Sequence, residues 1–96
     1  MNKNKYKLNK AIAEKITFSF QYLIGQTFNL KYQQNCKIDR IDVIDVGNGE
    51  WEVVLVYDIF KKPCIPEFYG FRCPTINIFE YLSNTNIEFD PKLFDL

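Results

Sequence analysis

Acidic side chains recur in the middle of the chain, where carboxylates are suited to acid–base catalysis or to binding a hard cation. The four candidates are Asp39, Asp42, Asp45 and Asp58. On a regular strand alternate residues face opposite sides, so Asp42 is expected to face away from Asp39 and Asp45. Because these carboxylates do not converge, we predict a solvated strand face and no metal site.

The sequence contains no histidine. This removes the usual general base, the usual partner of serine and cysteine nucleophiles and the commonest protein metal ligand. Gly47 and Gly49 fit a turn between strands and lack the strand-to-helix context of a phosphate-binding loop. We therefore predict that the protein is not an enzyme and has no catalytic residues and no cofactor. A small metal-dependent enzyme built on the aspartates and cysteines is an alternative.

The three cysteines are Cys36, Cys64 and Cys73. Cys64 and Cys73 bracket a proline-rich segment and are candidates for a redox pair or a disulfide, and all three together are candidates for a zinc site. A zinc site would need a fourth ligand, and CxxC spacing is absent. An odd, sparse set is not typical of a secreted disulfide framework, so we expect buried free thiols.

Segment 65–72 has the composition of a binding loop. Four of its residues are of types enriched at binding hot spots: Phe68, Tyr69, Phe71 and Arg72. Pro63 and Pro66 stiffen the chain in front of them. Two interpretations stay open: the rings close the open end of a sheet, or they contact another protein. We take the four residues as the candidate binding site.

Apolar residues spaced by three and four predict an amphipathic helix near the N-terminus. They are Leu8, Ile12, Ile16, Phe20, Leu23 and Ile24. Asn9 is the expected N-cap, and Gly25 is the expected left-handed residue at the end. Phe18 and Tyr22 lie off this stripe, so they are expected to pack on each other or to face a partner. Residues 1–7 are expected to fray.

A hairpin is the most regular pattern in the chain. Residues 38–46 alternate β-branched and acidic side chains, and a change of phase between Ile38 and Ile41 predicts a bulge. Residues 47–49 suit a tight turn. Residues 51–59 alternate again, with Val54 and Val56 on the second face, which is typical of a central strand covered in part on both sides.

The remaining segments complete the predicted fold. Residues 26–37 form a polar connection suited to a short edge strand, and residues 74–82 fit either a short helix or a strand. The acidic tail 87–96 is expected to pack against the body. We predict one α+β domain over residues 1–96, with the N-terminal helix packed on an antiparallel sheet of three or four strands.

Composition supports a small soluble domain with a real core. Of the 96 residues, 47% are hydrophobic and 17% aromatic, and the net charge is zero. Residues 1–37 carry seven lysines against Glu14 alone, and the rest of the chain is acidic. This asymmetry either orients a charged partner or reflects a lysine-coated helix beside an acidic sheet. Zero net charge with only two arginines disfavours nucleic-acid binding.

Targeting signals are not evident in the sequence. The N-terminal lysines precede no uncharged apolar run, and the longest uncharged stretch is too short and too polar to span a bilayer. A cytoplasmic location is therefore expected. Frequent Lys, Asn, Ile, Phe and Tyr suggest an AT-rich source genome.

Four features follow one another between residues 11 and 69. They are a helix ending in Leu23-Ile24-Gly25, a turn, the pattern Gly49-x-Trp51-x-Val53 at the start of a valine-rich strand, and a later proline. This order resembles the O-type accessory proteins of gas vesicle clusters. The resemblance implies an assembly accessory without catalysis. That family tends to end in a strand rich in arginine and tyrosine, whereas this chain ends acidic.

These patterns predict a small non-enzymatic protein-interaction module whose partner is another protein. An assembly accessory, including one of gas vesicles, and a small inhibitor or immunity-type binder are both of this kind. Besides the metal-dependent enzyme, the further alternative is a subunit of a larger complex with its aromatic excess at the interface. The sequence leaves the oligomeric state open.

Overall fold

The computed structural model describes residues 5–59 and 73–96. Its regular elements are α1 (Lys10–Ser19), β1 (Thr27–Phe28), β2 (Cys36–Gly47), β3 (Glu50–Asp58), β4 (Thr75–Asn77) and α2 (Ile78–Asn84), with short 3₁₀ helices at Gln21–Leu23 and Pro91–Phe94. The strands of this part of the chain form one antiparallel sheet in the order β1-β2-β3-β4. The predicted α+β fold, an N-terminal helix on an antiparallel sheet, is confirmed.

Local sequence accounts for both ends of α1. The Asn9 side chain accepts a hydrogen bond of 2.8 Å from the Ile12 N–H, which confirms the predicted N-cap. The α-helix ends at Ser19, before the predicted Gly25, and a 3₁₀ turn follows it. Thr17 and its neighbours are weaker helix formers, which favours the early end. Gly25 has a φ of +90°, so the chain does turn there.

The β2–β3 hairpin is the centre of the sheet. The pairing register shifts between Ile38 and Arg40, which confirms the predicted bulge. Residues 47–49 all have positive φ, as the turn requires. β3 lies between β2 and β4, and Val54 and Val56 on its second face are buried. The prediction of a central strand covered on both sides is therefore confirmed.

The ambiguous segment 74–82 contains both predicted elements. β4 pairs with β3, and α2 starts at the next residue. Asn77 connects the two elements: its Oδ1 accepts from the Phe79 N–H at 2.8 Å, which caps α2. Its Nδ2 donates to Oε1 of Glu52 on β3 at 3.0 Å. A single buried side chain thus ends the strand, begins the helix and ties both to the sheet.

The core lies between the helices and one face of the sheet. Residues that are completely buried come from α1, the first 3₁₀ turn, β2, β3 and α2: Ala13, Ile16, Leu23, Cys36, Val53, Leu55 and Ile78. Phe79 makes edge-on ring contacts with Tyr6 and with Phe89 at centroid distances of 5.5 and 5.0 Å. Phe94 is buried as well, so the C-terminal tail packs on the body as predicted.

Burial raises the pKa of three groups, Cys36, Tyr57 and Tyr81, through desolvation in each case. Each folded-state pKa exceeds the unfolded value. The contribution of each group to stability is therefore fully present below its ordinary pKa, which is 9.0 for the thiol and 10.0 for the two phenols, and is lost at higher pH. We therefore expect the urea midpoint of unfolding to fall as pH rises through the ordinary pKa values of 9.0 and 10.0. Tyr81→Phe should flatten this dependence, and an unchanged slope in that variant would contradict the assignment.

Candidate protein-interaction site

The predicted binding residues Phe68, Tyr69, Phe71 and Arg72 lie outside the described residues, as does Cys64. Their role in binding therefore stays a prediction. The prediction of buried free thiols holds for one of the other two cysteines: Cys36 is buried and free, whereas Cys73 is disulfide-bonded. The expectation of a free thiol is wrong for Cys73.

The aspartates of β2 are arranged differently from the prediction for a regular strand. Arg40 lies between two of them, with Nη1 at 3.1 Å from Oδ2 of Asp39 and Nε at 3.3 Å from Oδ2 of Asp42. The prediction that these two carboxylates diverge is wrong, because the bulge shifts the alternation between them. Asp45 is separate and accepts a hydrogen bond from the Gly47 N–H. Within residues 5–59 and 73–96, no group of three His, Cys, Asp or Glu residues is placed to hold a metal ion.

The outer edge of β2 is paired only at its beginning. β1 pairs with Cys36 and Lys37, and the next residue, Ile38, donates its N–H to the Gln26 carbonyl at 3.0 Å. The Ile38 carbonyl accepts from the Gly25 N–H at 2.8 Å. Beyond the bulge, no described residue forms a backbone hydrogen bond with this edge. Among residues 5–59 and 73–96, most of the longest strand of the sheet therefore has no partner along this edge.

The register shows which backbone groups of β2 point outward. Tyr57 and Trp51 donate their N–H groups to backbone carbonyls on the side of β3 away from β2. In an antiparallel ladder, the residues opposite such positions also turn their N–H and C=O groups away from the shared hydrogen bonds. By this alternation Ile41, Val43 and Asp45 direct their backbone groups outward. They form three successive sites for main-chain hydrogen bonds to an added strand.

The side chains beside this edge combine apolar and acidic character. Ile44 is 42% exposed and Val46 is 41% exposed, and Val46 lies at the second register shift of the hairpin, between Asp45 and Gly47. The hairpin segment 38–58 contains six acidic residues, and Arg40 is its single basic residue. The outer edge of β2 therefore belongs to a hairpin with six acidic residues against one basic residue and with two accessible β-branched side chains.

A second exposed surface lies between α1 and the C-terminal 3₁₀ helix. It is a groove of about 470 Å³ whose lining includes Phe18, Leu93 and Phe94. Phe18 is 82% exposed and Leu93 is 74% exposed. The ring centroids of Tyr22 and Phe20 are 6.0 Å apart, and no described ring contacts Phe18. Phe18 and Tyr22 therefore do not pack on each other, which was one of the two arrangements predicted for them.

Comparison with protein-family models, with curated proteins and with solved structures found no match. In the described part of the chain, no helix has the length and apolar character needed to cross a membrane.

Proposed function

We propose that the protein is a small interaction module that binds an extended segment of another protein along the outer edge of β2. The observation that carries this proposal is the set of three outward-facing backbone positions at Ile41, Val43 and Asp45. An exposed strand edge is a template for pairing with another chain. Main-chain hydrogen bonds would supply affinity, and side-chain contacts on either face would supply specificity.

Charge and side-chain shape define the partner segment. The acidic hairpin attracts lysine or arginine, and opposite charges across adjacent strands stabilise the pair. Ile44 and Val46 offer contacts to a β-branched or aromatic residue of the added strand. A second copy is a poor occupant of this edge, because pairing two such edges would bring two acidic hairpins together. We therefore assign the edge to a basic extended segment of a different protein.

An interaction module of this kind suits an assembly accessory or a small inhibitor and requires no catalysis. The resemblance of residues 11–69 to O-type accessory proteins would make the assembly a gas vesicle. The candidate loop residues Phe68, Tyr69, Phe71 and Arg72 are proposed as a further contact with the same partner. We also propose a cytoplasmic location. The free thiol of Cys36 is compatible with that compartment, whereas the disulfide of Cys73 is unusual there.

Selection from a displayed library of random peptides tests the strand-addition proposal. We expect enrichment of sequences in which lysine or arginine lies near β-branched or aromatic residues. Val43→Pro should lower the affinity for an enriched peptide by about tenfold or more, because proline removes the outward N–H and obstructs the added strand. The fold should survive, since proline is tolerated on an edge strand where its missing donor faces solvent.

Val43→Ala is the matched control, because it loses the same half-buried side chain and keeps the backbone N–H. This variant should bind the enriched peptide with nearly the affinity of the wild type. When the enriched peptide is titrated into the protein, the amide chemical shifts should change most at Ile41, Val43 and Asp45. Equal binding by the proline and alanine variants, or shift changes confined to another surface, would contradict the proposed function.

A further inference from the structure

The exposed face of α1 carries a short, ordered stripe of side chains. Ala11, Glu14, Lys15 and Phe18 are all exposed and all line the groove beside the C-terminal 3₁₀ helix. Their spacing of three, four and seven residues places them on one side of the helix. The opposite side packs into the core through Ala13 and Ile16. The stripe is therefore available to another molecule.

The stripe is complementary to itself when its direction is reversed. A reversal about the point between Glu14 and Lys15 exchanges these two charges and exchanges Ala11 with Phe18. Two α1 helices that pack antiparallel about a two-fold axis would thus place Glu14 of each copy beside Lys15 of the other. Phe18 of each copy would lie over Ala11 of the other. Such an arrangement is the isologous contact of a symmetric dimer.

The surroundings of the stripe fit a second copy of the chain. Ala11 has a small side chain, so it leaves space for the opposing ring, and Leu93 and Phe94 provide an apolar wall to the groove. Lys15 is held by Asp95 at 3.6 Å, and the two side chains are 59% and 82% exposed. An exposed pair of this kind is weak, so Lys15 is available to exchange Asp95 for Glu14 of the other copy.

We infer that a second copy of this chain occupies the groove, with the two α1 helices antiparallel and Phe18 of each copy buried against the other. This inference concerns α1 and does not depend on strand addition at β2. About six side chains of each copy take part, against about 20–30 residues a side in a standard interface, so the contact is a weak and transient one. The dimer should therefore be reversible and dependent on protein concentration.

Sedimentation equilibrium over a range of protein concentrations tests the inference. We expect a monomer–dimer equilibrium in the wild type and a dissociation constant raised at least about tenfold in Phe18→Ser. Tyr32→Ser is the matched control, since Tyr32 is an exposed aromatic residue (86%) that does not line this groove. This control should dimerise like the wild type. A wild type that stays monomeric at the highest concentrations, or equal effects of the two substitutions, would overturn the inference.

Charge exchange tests the antiparallel register. Glu14→Lys and Lys15→Glu should each favour the monomer, because each places like charges opposite one another. Both substitutions in one chain should restore the dimer, as should mixing the two single variants. No restoration in either case would refute this register. Peptide binding at β2 should be unchanged by Phe18→Ser, so failure of the dimer and failure of the proposed function give different results.

Discussion

Leu55→Ala is expected to lower the free energy of unfolding by about 3 kcal/mol, within the range measured for large-to-small changes in protein cores. Leu55 is completely buried in β3 and pairs with Ile41 on one side and Ile76 on the other. The neighbouring strands are held by backbone hydrogen bonds, so they have little freedom to fill the cavity. Because a domain of this size has only about 5–15 kcal/mol of stability, the loss is severe.

Urea unfolding followed by circular dichroism measures this effect. Leu93→Ala, measured at protein concentrations where the chain is monomeric, is the matched control, because it is the same substitution at a position that is 74% exposed. We expect the control to change stability by less than about 0.5 kcal/mol. Similar losses in the two variants would show that Leu55 does not occupy the packed centre of the sheet.

Asn77→Ala is expected to cost about 2 kcal/mol of stability, because two hydrogen bonds are lost at one buried position. The N-cap of α2 disappears with the acceptor of the Phe79 N–H. Oε1 of Glu52 loses the amide donor that lies at 3.0 Å. The expected result is a lower urea midpoint together with faster hydrogen exchange at the first turn of α2. A midpoint equal to that of the wild type would contradict this role of Asn77.

Asn77→Asp separates the two hydrogen bonds, because it keeps the capping oxygen and replaces the donor to Glu52 with a second carboxylate. Burial and the like charge of Glu52 both raise the pKa of the introduced carboxyl above its unfolded value. Relative to the wild type, the variant should therefore be most stable at low pH and should lose stability as pH rises through that pKa. Adding Glu52→Gln should remove the part of this pH dependence that comes from repulsion by Glu52. A pH profile unaffected by the second substitution would exclude direct repulsion between the two groups.

The proposed dimer contact and the proposed strand-addition edge lie on different elements, so each can be altered without the other. Phe18→Ser alters an exposed helix position, and Val43→Pro alters an edge strand, so each should leave the other function intact. Measuring dimerisation and peptide binding on both variants shows whether the surfaces act independently. Dimerisation would present two β2 edges in one assembly, which would strengthen the binding of a partner with two basic segments through avidity.

Features that depend on neighbours in the chain were predictable from the sequence. Asn9 caps α1 because a side-chain oxygen can reach the N–H three residues ahead. Residues 47–49 form the hairpin turn because glycine and asparagine accept positive φ. The bulge after Ile38 was visible as a change of phase. In segment 74–82 the local signals conflicted, and pairing with β3 on one side and the Asn77 cap on the other determined the result.

The α+β class, the hairpin with its bulge, and the cap of α1 were thus predictable from the residues alone, because these features follow from periodicity and from contacts a few residues long. Two features followed from the fold alone: within the described part of the chain the edge of β2 is unpaired beyond Ile38, and Phe18 lies exposed beside Leu93. Each of these depends on where a distant segment packs or ends. Exposure and pairing are properties of the whole fold, so no local pattern of residues contains them.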